Sequence, residues 1–279
     1  MTAPTDLLDA GDDRRLERFG DRVVDRPAPE AEWPRRDAAA WATADLVFER
    51  EGGWHGAGDV PSSWEVEEGD LRFELRPTPT GQVGLFPEQA LNRAWVRDLL
   101  TGLPADAATP AVLNLFAYTG AMTLSAAAAG ASVTHVDGSR PAVAWARRNA
   151  ELSRLDDRPI RWIVDDAEGF VAREARRGRH YDGLVLDPPS YGHGAGGRSW
   201  KLADRLPDLL AACAELTGPR PAFVVLTAHT QGFDADRLAD VLGAAYRRRA
   251  ADVDVGDLGL RARSGAHLHL GAYARIIGR

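Results

Sequence analysis

The chain has 279 residues, an apolar fraction of 44%, a single cysteine (Cys213), a formal net charge of −7 and a sequence pI near 5.5. One cysteine excludes intramolecular disulfides and cysteine zinc clusters, and the histidines show no HExxH-like spacing, so no metal is expected. No run of about twenty apolar residues proposes a membrane span, the acidic start MTAPTDLLDAGDD lacks the basic-then-apolar pattern of a secretory leader, and the acidic balance argues against a general nucleic-acid coat; a cytoplasmic protein without membrane contact is expected.

Residues 6–26 hold short alternating pieces around Gly11-Asp12-Asp13 and Gly20-Asp21, turn signals that predict a β-meander. The stretch 36–50 carries Ala40, Trp41, Ala44, Val47 and Phe48, a helical stripe that predicts a helix packed on the meander. A glycine-rich loop follows, and Trp64 to Arg76 alternates on either side of Gly69-Asp70, which predicts two antiparallel strands. Together these define a small β-rich α+β domain over residues 1–80, a candidate for substrate recognition. The N-terminal arginines Arg14, Arg15, Arg18, Arg22, Arg35 and Arg36 read equally well as a solvated face and as a phosphate-contacting patch.

From Pro87 a helix is expected, with Pro87 in its first turn and Leu91, Trp95, Val96 and Leu99 as its buried stripe. Then come four apolar runs, VLNLFAYTG, SVTHVDGS, RWIVDDAEGF and YDGLVLDPPSYG, separated by helical stretches. That alternation predicts parallel βαβ units. The loop GHGAGGRSWK is too glycine-rich for regular structure and is expected to be mobile. Leu202, Leu206, Leu209, Leu210, Cys213 and Leu216 share one side of a further helix, which makes Cys213 a buried packing residue. AFVVLTAHT is a fifth strand, 234–249 a fifth helix, and DVDVGDL and AHLHLGAYARII two closing antiparallel strands. The fold class is therefore α/β: a doubly wound, mostly parallel, seven-stranded sheet over residues 81–279, preceded by the small α+β domain.

In such sheets ligands lie beyond the carboxyl ends of the strands, which here carry Thr119, Gly120, Asp137, Asp166 and Asp187. Thr119-Gly120 turns into an alanine-rich helix and brings backbone close to a ligand at a helix N-terminus. GxGxxG is missing, with Phe116 and Tyr118 where a dinucleotide loop needs glycine, so a nicotinamide cofactor is disfavoured. Asp137 is placed to accept hydrogen bonds from ribose hydroxyls and Asp166 from an adenine amino group. Each aspartate alone has the commoner reading of a helix N-cap; three at successive strand ends favour a nucleoside pocket.

These residues resemble the class I S-adenosylmethionine-dependent methyltransferases, which have a Rossmann-like fold. NLFAYTG (114–120) is similar to the variant loop of bacterial methyltransferases of large-subunit (23S) ribosomal RNA. GLFPEQALNR (84–93) is similar to their Phe-x-x-Gln-x-x-x-Arg segment, and DDAEGF and LDPPSYG extend the match. The resemblance covers residues 80–230 well and the first 80 only in layout. It implies S-adenosylmethionine as cofactor and S-adenosylhomocysteine as product, with Phe86, Gln89, Arg93, Asn114, Phe116, Tyr118, Thr119, Gly120, Asp137, Gly138, Asp165, Asp166, Ala167 and Asp187 lining the cofactor.

Asp187, Pro188, Pro189 and Tyr191 resemble the Asp/Asn-Pro-Pro-aromatic signature of amino-group methyltransferases, which implies catalysis there: Asp187 or the carbonyl after it faces the target nitrogen and Tyr191 stacks on the base. The plain alternative is a turn ending a strand. Relatives that methylate cytosine carbon 5 place a cysteine after the fifth strand, because that carbon needs a thiolate adduct; here Ala228 and His229 occupy that stretch, which points to a nitrogen or oxygen acceptor. His229 is a candidate acceptor for the released proton, the commoner role being a satisfied polar residue. The expected activity is methylation of an RNA base, in ribosomal RNA, at a nitrogen. A small-molecule or natural-product acceptor is the alternative, and a non-catalytic cofactor-binding module a second one.

Overall fold

The structure, a computed structural model, describes residues 5–56, 58–104, 108–193 and 199–278, with His193 and Ser199 as backbone alone. It divides into two units. The first is Met1–Ala90 with Gly259–Leu270, and the second Leu91–Leu258 with Gly271–Arg279. The boundary thus falls at Ala90, ten residues beyond the expected one, and the tip of the last hairpin joins the N-terminal unit.

The N-terminal unit opens with the expected meander, β1 (Thr5–Gly11), β2 (Arg14–Phe19) and β3 (Arg22–Pro27). Its first turn places Asp12 and Asp13 at φ 54° and 59°, a left-handed pair that aspartate tolerates better than most residues. The helix expected over 36–50 is reduced to one turn, α1 (Ala38–Trp41), in which Asp37 accepts the Ala40 N–H. Leu46–Glu49 instead forms β4, parallel to β3, and Gly53–Gly56, expected as loop, forms β5 antiparallel to it. The reason is local: Leu46 and Phe48 are buried with Val47 between them, a period of two. Gly56 is required there, since a Cβ would lie 2.2 Å from the Asp45 carbonyl oxygen. The five strands form one sheet, and β6 (Trp64–Glu68) and β7 (Leu71–Leu75) a separate hairpin, as expected.

Charge is buried in this unit. Arg26 Nε donates to Glu17 Oε2 at 2.6 Å, and Arg15 Nε lies 3.3 Å from the same oxygen. All three side chains are buried, so Arg15 belongs to the interior and not to a phosphate-contacting face. Arg14 is held by Asp25 at 2.5 Å and by the Phe48 carbonyl. Asp9, fully buried, accepts from the backbone of Arg36 and Asp37, from Trp41 Nε1 and from the Ser264 hydroxyl. Burial pushes its carboxyl up, but those bonds outweigh it and hold the group below the usual carboxylate range. Ser264 sits on the hairpin tip, where Ala262, Ala266 and Leu268 pack with Leu7, Ala10, Ala28 and Ala31 and Arg263 pairs with Asp6.

The second unit starts with α2 (Ala90–Thr101), which follows a 3-10 turn at Pro87–Gln89. Its inward residues are Asn92, Arg93, Val96 and Leu100, whereas Leu91 is 36% exposed and leaves the expected stripe. Arg275 Nε donates to Asn92 Oδ1 at 2.8 Å, so a polar contact takes the place that periodicity assigned to leucine.

Five parallel strands follow, β8 (Ala111–Leu115), β9 (Ser132–Asp137), β10 (Ile160–Val164), β11 (Gly183–Leu186) and β14 (Phe223–Ala228). Between them run α3 (Ala121–Ala128), α4 (Arg140–Leu152), α5 (Ala167–Arg176) and α6 (Leu202–Thr217), and α7 (Ala235–Tyr246) follows β14. The closing strands are β15 (Asp254–Arg261) and β16 (His267–Ile277), the latter antiparallel to β14. The order β10-β9-β8-β11-β14-β16-β15 gives the expected seven-stranded, doubly wound sheet. Successive residues serve opposite faces: Leu113, Leu115, Leu184, Leu186, Val224 and Leu226 pack in one core with α5, α6 and α7, and Val112, Val185, Phe223 and Val225 in the other with α2 and α3. Burial on both faces explains the unbroken apolar runs. Cys213 is buried in the first core. Among the described residues no helix is long and apolar enough to cross a membrane.

Candidate active site

The order reverses between β8 and β11, so the segments leaving these neighbours diverge and open a crevice beyond their carboxyl ends. The loop after β8 follows an unusual path. Phe116 and Tyr118 have φ 56° and 47°, and Gly120 87°. Left-handed backbone at two aromatic residues costs about 1–2 kcal/mol each, and four contacts hold it. Ala117 N–H donates to the Val136 carbonyl (3.1 Å), Tyr118 N–H to Asp137 Oδ2 (2.8 Å), Gly120 N–H to the Ala117 carbonyl (3.0 Å), and Asn149 Nδ2 to the Thr119 carbonyl (2.9 Å). A Cβ on Gly120 would meet Ala146 Cβ at 2.9 Å, so this position needs glycine for space as well as for conformation.

Beneath the loop lies a buried polar chain. Asn114 Nδ2 donates to Thr123 Oγ1 at 2.9 Å, and that hydroxyl shares a 2.9 Å hydrogen bond with His135 Nδ1. Burial, then the charge of Arg147, push the His135 pKa down to about 3, so the imidazole is neutral. Asn114 thus ties β8 to α3 from below.

Asp137, at the end of β9, is the hinge of the site. Its Oδ2 takes the Tyr118 N–H and its Oδ1 the Ser139 N–H at 2.8 Å. Burial raises its pKa, with the two backbone bonds opposing. Gly138 next to it is exposed, and Ser139 caps α4. At the end of β10, Asp165 N–H donates to the Asp137 carbonyl (3.0 Å), and the Asp165 carboxylate pairs with Arg173. Asp166 is the N-cap of α5, its Oδ1 accepting the Gly169 N–H at 2.9 Å, and Ala167 is the buried first residue of that helix. The structure therefore brings Asn114, Phe116, Tyr118, Thr119, Gly120, Asp137, Gly138, Asp165, Asp166 and Ala167 to the ends of three adjacent strands. Arg93 lies buried on α2. Phe86 and Gln89 belong to the N-terminal unit, flanking and closing its 3-10 turn.

Across the crevice, Asp187 follows β11. Thr227 Oγ1 donates to its Oδ1 at 2.5 Å, and His229 Nε2 lies 3.3 Å from the same oxygen. Pro188 is buried and Pro189 exposed. The Ser190 and Thr230 hydroxyls share a 2.6 Å bond, which fastens the Pro-Pro segment to the end of β14. Tyr191 is 74% exposed.

The segment after it is more regular than expected. Tyr191–His193 (β12) pairs antiparallel with Ser199–Lys201 (β13), Gly192 opposite Trp200. Residues 194–198, including Arg198, lie outside the described residues. Trp200 is a site residue that the sequence reading passed over. Buried, it donates from Nε1 to the Pro189 carbonyl at 2.8 Å, and its ring lies 5.4 Å from that of Phe116, so one side chain joins the loop after β8 to the segment after β11. The available signal was an indole two residues before an amphipathic helix.

Seven strands in this order, a glycine-ended loop after the first parallel strand, acidic residues at the ends of the second and third, and Asp-Pro-Pro after the fourth define a class I methyltransferase fold. The model of the S-adenosylmethionine-dependent methyltransferase family matches residues 49–224, and the chain belongs to that family. Over its whole length it is similar to the crystal structure of the S-adenosylmethionine-dependent methyltransferase from Agrobacterium tumefaciens, at 35% identity and a TM-score of 0.92, covering 91% of that chain. It is 34% identical over 129 residues, 46% of this chain, to ribosomal RNA large subunit methyltransferase K/L of Syntrophotalea carbinolica. To ribosomal RNA large subunit methyltransferase I of Shewanella denitrificans it is 31% identical over 149 residues, 53% of this chain. The matched part spans only 17% and 33% of those two relatives. S-adenosylmethionine is the cofactor of the family and of this chain.

Proposed function

We propose that the protein transfers a methyl group from S-adenosylmethionine to a nitrogen of an RNA base, in ribosomal RNA, in the cytoplasm. The carrying observation is the pairing of a fixed carboxylate with an uncovered aromatic ring: Asp187, held by Thr227 and His229, four residues before Tyr191, which is 74% exposed. A planar base stacked on Tyr191 would present its amino group to Asp187 or to the backbone after it, and stacking of this kind contributes roughly 1–3 kcal/mol. The ribosomal RNA methyltransferases among the relatives support an RNA acceptor.

The donor set suits the cofactor. Asp137 offers a carboxylate for the ribose hydroxyls, Phe116 and Tyr118 supply aromatic surface, and the residues after β10 reach toward the adenine side. When bound, the cofactor supplies an electrophilic methyl on a sulfonium. The chain's part is to orient the acceptor nitrogen in line with that methyl, to accept a hydrogen bond from the amino group at Asp187, and to exclude water.

A second reading, a small-molecule acceptor, is favoured by the inward use of N-terminal arginines: Arg15 is buried against Glu17 and Arg14 is held by Asp25. Transfer of labelled methyl to cell extract, separated into RNA, protein and small molecules, tests both. Label in RNA, recovered as an N-methylated nucleoside and reduced by Tyr191→Ala about 5-fold to 150-fold, is the expected result. Label confined to small molecules selects the second reading, and label in neither sinks both.

A further inference from the structure

The two side chains on Asp187 do different things. Thr227 and His229 lie two apart at the end of β14 and both reach Oδ1, at 2.5 Å and 3.3 Å. A threonine hydroxyl holds the carboxylate at every pH. An imidazole holds it too, but changes its own charge within the range in which cells operate. The space around His229 is shaped by backbone. Gly271 on β16 faces it, and a Cβ there would come within 3.1 Å of Nδ1 and 2.3 Å of the Ala228 carbonyl oxygen. Asp187 on β11 brings a carboxylate to His229, Thr227 adds a neutral hydroxyl to the same carboxylate oxygen, and Gly271 on β16 adds no side chain. The imidazole is 35% exposed and the carboxylate 31%, so protons reach both.

From this geometry we infer that His229 is a positioning residue for Asp187, donating Nε2–H to Oδ1 while neutral and offsetting the carboxylate's charge when protonated. The acceptor's amino group then meets a full carboxylate above the imidazole's titration and a compensated ion pair below it. Methyl transfer therefore falls on the acid side through His229 and not through Asp187 alone. The inference rests on the reading of Asp187 as the group that faces the acceptor, and it assigns the pH response of that site to a second residue.

Two measurements on the full chain separate the inference from the reading beneath it. Histidine NMR titration needs no acceptor: the His229 resonance is expected to titrate at higher pH in the wild type than in Asp187→Asn, because an opposite charge within about 4–6 Å favours the charged imidazole. Coincident titrations overturn the pairing. The second is labelled methyl transfer to total ribosomal RNA from about pH 5.5 to about pH 9, a range that spans the ordinary histidine value. His229→Gln retains an amide donor but cannot titrate; its plateau rate is expected to drop about threefold and its acid limb to flatten. His229→Ala removes the donor as well, and its kcat is expected to fall about tenfold or more, with the KM for S-adenosylmethionine unchanged, as for a group that orients without binding the cofactor. A wild-type acid limb in His229→Gln, or wild-type kcat in His229→Ala, overturns the inference. If the wild type labels no RNA at any pH, the proposed acceptor is wrong, and the NMR titration still decides whether the pair exists.

Discussion

The indole of Trp200 donates to the carbonyl of Pro189 across 2.8 Å. Through that bond the strand entering α6 fixes the Pro-Pro segment, and through its ring face it touches Phe116 of the opposite loop.

Trp200→Phe keeps most of the ring contact and removes the donor. The loss of one neutral hydrogen bond is expected to cost about 0.5–1.5 kcal/mol of stability and to lower methyl transfer more than cofactor affinity. Urea unfolding, calorimetry and the transfer assay on one preparation check it. Equal losses in binding and transfer would show that Trp200 serves the loop after β8 and not Pro189.

Asp137→Ala is expected to weaken S-adenosylmethionine binding by about 1.5–3 kcal/mol, the range for hydrogen bonds to a charged partner, measured by calorimetry. The pH response has two opposite signs. Burial raises the folded pKa of Asp137, so its contribution to stability is full below the unfolded value and is lost as pH rises through the folded one. Binding runs the other way, because the ribose hydroxyls need the carboxylate: affinity is expected to fall as pH drops through the raised pKa. Affinity flat down to the ordinary aspartate range would contradict this.

In the N-terminal unit the sign reverses. The carboxyl of Asp9 is held low despite burial, so its contribution is present above the unfolded value and is lost as pH falls through the folded one. Asp9→Asn cannot accept from all the donors that converge there and is expected to cost about 2–4 kcal/mol. Urea midpoints between neutral and acid pH should converge for variant and wild type as the wild-type carboxylate takes up its proton.

Burial raises the Cys213 thiol pKa, which leaves no thiolate at neutral pH. Cys213→Ser is expected to lower stability by about 1–3 kcal/mol while methyl transfer in the folded fraction stays at the wild-type rate. Abolished turnover in a stably folded variant would revive a covalent route to carbon.

The sheet was legible because strands buried on both faces must be apolar throughout: LVL at Leu184–Leu186 and FVVLTA at Phe223–Ala228 leave no other assignment. The loop after β8 was legible by contrast, aromatic residues standing where glycine would be easier. Elsewhere the pattern misled. Ala40, Trp41 and Ala44 extend a helical period into Leu46–Phe48, where a short period of two, paired with β3 and β5, decides for a strand. Arg15 read as a solvated or phosphate-contacting residue because its pairing with Glu17, which also takes Arg26 from the neighbouring strand, leaves no local trace. Asp166 offered two roles, and the cap is the one visible in its own segment. Trp200 was hidden by the glycines before it, whose composition says loop while its own ring says core.

The hairpin tip carries a consequence for the order in which the protein is made. Ser264 completes the ring of donors on Asp9, and Ala262, Ala266 and Leu268 complete the cluster around Leu7 and Ala10. Both arrive about 180 residues after the first ninety have been synthesised, a delay of roughly ten to forty seconds at usual elongation rates. Until then the nascent meander waits with one flank open and its buried carboxylate short of a partner. The first unit to leave the ribosome is thus among the last to be finished, and excising residues 1–90 as a stand-alone module would reproduce that unfinished state permanently.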